Sequence, residues 1–385
     1  GPTGNFLENN SFQDFYPDGL YVEDNIGLMI AGNNIMRPTR TNEATGAGKE
    51  VGPGCQSLMI RENKIHDTHT NSTSGTFYGI YFNDCDAPAG FENIAINNLL
   101  YRFNSSSGTI YAFYNDDSDG THIHHNTIVL DHPSSTSGTT RGFYQNTTAT
   151  NIQFTNNIVY ITRGGSGTKY CIYIGDPSTI VSNNNDLYIN APAGTNNIGY
   201  YSGAHATMAL WQAANGGAYD QQSVNMDPMF QNAATNDYTP TNVLMDNSGI
   251  PEGVSIDVNG NPRSGTTPDI GSVEFLTVPS PLSVNLLAFT ASRNGKDVLV
   301  SWKVNEEVNL ANYIVERSSN GSYFTEAGSV TATGNSDYQF TDRSIVPDGD
   351  KLYYRLKMVE KSGKFMYSKV AIVDLNSAET HFSVF

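Results

Sequence analysis

The sequence predicts an all-β chain in two parts, a parallel β-helix and then a small β-sandwich. Three observations predict it. A phrase of small residue, large apolar residue and tyrosine recurs as Gly19-Leu20-Tyr21, Gly79-Ile80-Tyr81, Ala112-Phe113-Tyr114, Gly142-Phe143-Tyr144, Cys171-Ile172-Tyr173 and Gly199-Tyr200-Tyr201, with late steps of 33, 30, 29 and 28 residues. A second phrase, apolar-x-x-Asn-x-apolar, keeps step with it. It reads Leu7…Asn10…Phe12, Ile30…Asn33…Ile35, Ile60…Asn63…Ile65, Ile94…Asn97…Leu99, Ile123…Asn126…Ile128 and Phe154…Asn157…Val159, and ends in Asn185…Leu187 with Ser182 in the first apolar place. Near residue 285 both phrases give way to alternating strands at sandwich spacing.

Two phrases locked at a period of about 30 residues are the mark of a solenoid. The pieces are short and rich in Ile, Tyr, Val and Phe, with Asn, Gly, Asp and Ser between them, which is strand-and-turn chemistry. One coil cannot bury its apolar face alone, and stacking does so. Each strand then pairs with its equivalent one coil away, at about 4.8 Å. The asparagines tolerate the left-handed backbone of a tight corner, and stacked amides hydrogen-bond along the ladder. The step from Tyr21 to Tyr81 is double, so one coil has lost the tyrosine phrase, to a loop around Gly46 to Gly54.

Composition narrows the function. The 385 residues carry a net charge of −17, which argues against nucleic acid and anionic membrane surfaces. No apolar run is long enough to span a membrane. The three cysteines, Cys55, Cys85 and Cys171, give no disulfide framework, although Cys55 and Cys85 sit about one coil apart.

In chain order, coils occupy 1–205. The first coil has no capping helix, so its strand edges invite pairing, and self-assembly through that end is one expectation. The longest insertion is Thr39 to Gly54. Smaller ones at Thr70 to Gly75, Ser105 to Gly108, Pro133 to Thr140 and Gly164 to Thr168 fall just before the tyrosine phrase, and are expected to project from one edge and build a groove. His205 to Tyr219 is the best short-helix candidate, and 206–275 is read as the closure of the solenoid. Residues 276–284 read as a linker, with Pro279-Ser280-Pro281. In 285–375, Val298-Leu299-Val300-Ser301-Trp302 alternates with Trp302 inward, and Tyr313 to Arg317 and Leu352 to Leu356 are further strands. Residues 376–385 read as the start of a truncated segment. The expected fold class is therefore all-β: a right-handed parallel β-helix (solenoid) of about 30 residues per coil, followed by a small immunoglobulin- or fibronectin III-like β-sandwich.

Two stretches carry resemblances. Asp227-Pro228-Met229-Phe230, then Asp257 to Arg263, then Asp269-Ile270-Gly271-Ser272-Val273-Glu274 is similar to the closing segment of extracellular bacterial parallel β-helix proteins, with Ser272 where alanine is usual. Phe289-Thr290-Ala291, Ser301-Trp302, Val315-Glu316-Arg317-Ser318, Tyr353-Tyr354-Arg355-Leu356 and Gly363 to Ser368 resemble the fibronectin-like module that precedes the sorting domain of type IX-secreted Bacteroidetes proteins. Thr380 to Phe385 looks like the first strand of that sorting domain. The resemblance implies a secreted or surface-attached protein and names no reaction.

Chemistry is sought beside the tyrosines. Three residues after each come Asp24, Asp84, Asp117, Thr147 and Asp176, and five after come Asp86 and Asp119. Asp84-x-Asp86 and Asp117-x-Asp119 are expected to stack. Two carboxylates about 5 Å apart repel by roughly 1 kcal/mol in water and about 3–4 at an effective dielectric near 20. Three readings stay open: a solvated acidic turn, a calcium site on Asp84, Asp86, Asp117 and Asp119, or catalytic carboxylates. Families on this fold suggest lyase chemistry, with Arg141 or Lys169 as base, or hydrolysis by Asp84, Asp116 or Asp117. Asn115-Asp116-Asp117 resembles a pectinase cluster, but the Gly-His-Gly and Arg-x-Lys partners of that family are absent. His122 and His124 are expected to face solvent, with His125 opposite. Most repeat tyrosines are read as packing residues. The functional expectation is a secreted or cell-surface protein that recognises, and in one reading cleaves, an extracellular polysaccharide. Its rival is an adhesin or fibre subunit without chemistry.

Overall fold

In the computed structural model, residues 4–40, 45–69, 74–176, 178–275, 284–307, 310–321, 324–343, 345, 350–361 and 365–375 are described. The expected sorting segment, 376–385, and the linker up to 283 lie outside them. The chain divides into two compact units, Gly1–Thr277 and Val278–Phe385.

The first unit is a three-sided parallel β-helix. One sheet stacks Phe6–Glu8, Met29–Ala31, Met59–Arg61, Asn93–Ile96, Thr121–His124, Ile152–Thr155 and Ile180–Asn183. The second stacks Ser11–Gln13, Asn34–Met36, Lys64–His66, Leu99–Tyr101, Thr127–Leu130, Ile158–Ile161 and Asp186–Ile189. The third stacks Leu20–Val22, Gly46–Val51, Phe77–Asn83, Ile110–Asp116, Thr140–Gln145, Thr168–Ile174 and Thr195–Tyr200, and ends in the antiparallel strand Ala204–His205. Inside, the columns Ile30-Ile60-Ala95-Ile123-Phe154, Ile35-Ile65-Leu100-Ile128-Val159 and Ile80-Phe113-Phe143-Ile172 merge into one core.

The asparagine ladder is continuous, with one correction. The side-chain Oδ1 of Asn33, Asn63, Asn98, Asn126, Asn157 and Asn185 each accepts the backbone N–H of the ladder asparagine one coil earlier, at 2.9 to 3.0 Å. In the fourth coil the ladder residue is Asn98, not Asn97, and the inward pair is Ala95 and Leu100. The left-handed corner falls one residue before the ladder, at Asn9, Gly32, Glu62, Asn97, His125, Asn156 and Asn184. One position turns the chain, and the next bonds it through its side-chain amide.

Two further readings are corrected. The last tyrosine phrase is Ile198-Gly199-Tyr200, since Tyr200 pairs with Tyr173 and Gly199 with Ile172. The coil that lost the phrase has kept the strand: Gly46–Val51 is part of the third sheet, with Lys49 opposite Ile80 and Glu50 opposite Tyr81. A buried lysine thus stands where the pattern asks for an apolar residue.

The insertions do not project as separate loops where they are described. Added Cβ atoms at Gly108, Gly138, Gly167 and Gly194 would lie 2.0, 2.2, 1.8 and 2.3 Å from the carbonyl oxygens of Gly75, Gly108, Gly138 and Gly167. The loops therefore stack coil on coil, and only glycine fits the approach. Buried cations hold their carbonyls from inside: Arg163 donates to Ser105 O and Gly108 O, and Lys169 to the carbonyls of Gly165, Gly167 and Ala193.

Residues 206–275 close the end and then run back along the side. The expected helix is only Met208–Gln212, capped by the Thr207 hydroxyl. Trp211 fills the space left by Gly199, where a Cβ would lie 2.2 Å from the indole. The resembling motif is a clasp. Arg263 pairs with Glu274 at 3.1 Å and donates to Asn97 Oδ1 and to the carbonyls of Asp269 and Gly271. Asp269 accepts the N–H groups of Asn247 and Phe275, and Asp257 those of Asn259, Asn261 and Glu274. Ser272 bonds Thr127 Oγ1 at 2.9 Å.

The second unit is an immunoglobulin- or fibronectin III-like sandwich. Its three-stranded sheet is Val284–Asn294, Asp297–Glu307 and Asp337–Asp342. Thr325–Thr331, Leu310–Ser318, Lys351–Glu360, Phe365–Tyr367 and Ala371–Asp374 form the facing sheet. Trp302 is inward as expected, stacked on Tyr338, with Tyr313, Val315, Tyr354 and Leu356 in the same core.

Candidate functional site

The outer face of the third sheet is a tyrosine face. Strand alternation puts Tyr78 and Tyr81 on opposite sides, but the ladder skips Gly79, so both point out. The same skip at Ala112, Gly142 and Cys171 repeats the pattern. One column runs Tyr78, Tyr111, Arg141, Tyr170, and the other Tyr81, Tyr114, Tyr144, Tyr173, Tyr200. These repeat tyrosines lie on the outer face and pack on one another, half-buried for the most part, with Tyr114 buried.

From Tyr78 to Tyr144 the rings lie face to face, with centroids 4.8 to 5.4 Å apart and planes within 30°. Tyr173 and Tyr200 stack on each other at 4.1 Å and stand at 85° to Tyr144. Arg141 occupies the break, with its guanidinium 4.2 Å from both the Tyr144 and Tyr173 ring centroids, and Nη1 donating to Tyr111 Oη at 3.0 Å. No carboxylate lies within ion-pair distance of it among the described residues.

A polar rail runs beside the rings. Asn83 donates to Glu50 Oε1 at 3.0 Å, and Asn146 to Asp116 Oδ1 at 2.9 Å, while Asn83 and Asp116 share a register position. Tyr114 Oη donates to Asp116 Oδ2 at 3.1 Å, and Thr147 to Oδ1. Burial raises the Glu50 carboxyl, and burial with the nearby Asp116 raises the Tyr81 and Tyr114 phenols, so these hydroxyls remain donors throughout the neutral range. Tyr173 is pushed up to about 12, first by burial and then by Tyr200.

The other sequence candidates fall elsewhere. Asp84 and Asp117 are exposed and take left-handed turn conformations. Asp86 Oδ1 accepts the N–H of Asp119, and Asp119 Oδ1 that of Thr150, so this acidic stack is a second ladder of its own. Among the described residues no group of three or more His, Cys, Asp or Glu is placed to hold a metal ion. Lys169 is buried under the stacked loops, with its ammonium committed to three carbonyls, which leaves no free lone pair for a base. Arg141 and Asp116 share the outer face but lie five residues apart along the strands, roughly 15 Å.

The histidines differ from expectation too. His122 is half-exposed, but His124 is buried, bonded to Thr155 Oγ1, which donates to Glu252 of the returning segment. His125 turns the corner and is bonded by Asp269 O and Asn156. The covering segment makes these two part of its docking surface.

Sequence reasoning missed one hollow. Asp131, Tyr160, Thr162, Asp227 and Phe230 line a shallow concavity of about 640 Å³ between the second sheet and the returning segment. The Asp-Pro-x-Phe motif held its signal, since Phe230 packs edge-on against Tyr160 at 5.3 Å.

No known protein family matches the chain, and no curated protein does. Among solved structures, an Fn3-like protein from Clostridium thermocellum matches at 23% identity, over 24% of this chain and 93% of that one, with a TM-score of 0.19.

Proposed function

We propose that the protein is a secreted or cell-surface β-helix that recognises an extracellular polysaccharide along the outer face of its third sheet. The observation that carries this reading is the pair of tyrosine columns with Arg141 in their midst and the Glu50-Asn83-Asp116-Asn146 rail beside them. Most ring faces are used up in stacking, so a ligand meets ring edges, phenol hydroxyls and amides. These groups repeat every coil, at about 4.8 Å, close to the length of one sugar ring in an extended chain. A glycan laid along the solenoid axis meets one set of donors and acceptors per ring. Polar recognition of this kind needs few pockets and many repeats.

Recognition without cleavage is the form the side chains favour. Asp116 is held by three donors, Lys169 has no free lone pair, and Asp84 and Asp117 sit on exposed turns. The test is incubation with neutral and acidic polysaccharides, with calcium and with chelator. Binding, unsaturated product and new reducing ends are followed together. Binding without either product is expected. Calcium-dependent unsaturated product means a lyase, and new reducing ends a hydrolase. Silence across the panel with assembled particles in micrographs means a fibre subunit.

A further inference from the structure

The core of the second and third coils holds a group that apolar packing does not explain. Lys49 occupies the inward place opposite Ile80, is 1% exposed, and its Nζ has no hydrogen-bond partner. An unpaired polar group in an apolar core is costly unless something uses it. Cys55 and Cys85 are its neighbours in charge interaction, and both are fully buried.

The two cysteines stand in one column. Each follows a left-handed turn residue, Gly54 and Asp84, in successive coils. Cys55 Sγ lies 3.6 Å from Val22 O, and Cys85 Sγ lies 3.3 Å from Cys55 O, each thiol reaching back one coil. Asn93 Nδ2 donates to Cys85 Sγ at 3.1 Å and to Cys55 O at 2.9 Å, and the backbone N–H of Cys85 is taken by Ser118. Coil spacing of about 4.8 Å falls inside the Cα separation of about 4.4–6.8 Å that a disulfide spans. Cys171 stands in a different column, at the small-residue place of the tyrosine phrase, and cannot join them.

We propose that Cys55 and Cys85 are an oxidisable pair that closes to a disulfide stapling adjacent coils. Burial lowers Lys49 to about 7, and the charge it retains favours the Cys55 thiolate over the thiol. Contact between the two thiols lowers Cys55 and raises Cys85, so Cys55 is the readier thiolate. The oxidant is a small-molecule disulfide, which reaches the pair while the chain folds, before the coils bury both thiols. The Cys55 thiolate attacks one of its sulfurs and expels the other as a thiolate. Cys85, losing its proton to that thiolate, then displaces the second half. Two protein thiols are oxidised, one reagent disulfide is reduced to two thiols, and one S–S bond forms.

The experiment refolds the full chain in oxidised glutathione or in excess reductant. Remaining thiols are then blocked with N-ethylmaleimide in denaturant, and the intact mass is measured. One label is expected after oxidation, on Cys171, with a linked peptide joining Cys55 to Cys85, and three labels after reduction. Cys171→Ser, which leaves the pair intact, is expected to take none after oxidation. Three labels on the oxidised wild type, or a link through Cys171, overturns the pairing.

Discussion

Trp211 Nε1 donates to Asp220 Oδ2 at 2.8 Å, and the other oxygen of Asp220 receives Asn185 Nδ2 at 3.0 Å. Through these two bonds the end lid joins the asparagine ladder. The last rung is paired as fully as any other, because Asp220 and Ser223 stand in for the missing next coil. Asp220→Ala strips acceptors from Trp211, Asn185, Ser182 and Ser223, all buried. A loss of about 3 kcal/mol is expected, read as a lower urea midpoint with lost protection of Trp211.

Lys49→Met is expected to stabilise the reduced chain by roughly 2–4 kcal/mol near pH 7.5. Folded Lys49 titrates near 7, against 10.5 for a free lysine. The unfolded chain therefore binds the extra proton between these values. Wild-type stability rises as pH increases from 7 to 10.5, and the variant lacks that rise. Denaturant midpoints at pH 7, 8.5 and 10 check it, with reductant present throughout.

Acid is expected to loosen the returning segment. Burial holds folded His124 near 3 and His125 near 2, while both take protons near 6.5 when unfolded. Their contribution is complete above 6.5 and is lost as pH falls below it. Asp269, raised to about 6 mainly by burial, acts oppositely between 6 and 3.8. Two histidines against one aspartate leave a net loss of about 1–2 kcal/mol from pH 6.5 to 5. Hydrogen exchange in residues 247–275, followed from pH 7 to 5, measures it.

Calcium is expected to leave the melting temperature within about 1 °C, because Asp86 and Asp119 already serve backbone amides and hold no converging set of six to eight oxygens. Melting with calcium and with chelator checks this. A calcium-dependent rise of several degrees returns the metal to the Asp84-Asp119 turn.

The solenoid was legible because its period is written twice, in asparagine and in tyrosine. The misreadings share a cause. Asn97-Asn98 and Tyr200-Tyr201 are doublets, and sequence spacing alone does not say which member stands in register. The second coil was hidden because Lys49 and Glu50 carry the right backbone with the wrong polarity. That Tyr78 and Tyr81 share one face was hidden because a skip at Gly79 breaks alternation, and only strand register reveals a skip. The stacked glycine loops leave no side-chain pattern to read, since their contacts are backbone to backbone. Arg141 and Asp116 were singled out from sequence, but the rail they flank depends on Glu50 and Asn83, which no phrase marked.

The tyrosine face is proposed to hold a polysaccharide. The most direct measurement is affinity electrophoresis of the wild type, Tyr144→Ala and Asp86→Ala through gels containing extracellular polysaccharides. Tyr144 contacts Arg141 and its neighbouring rings, whereas Asp86 lies on the turn away from them. At least one polysaccharide is predicted to retard the wild type and Asp86→Ala alike, with affinity for Tyr144→Ala down about 5- to 30-fold, the loss of roughly 1–2 kcal/mol at an aromatic contact. No retardation of the wild type by any polysaccharide, or equal retardation of Tyr144→Ala, contradicts the claim.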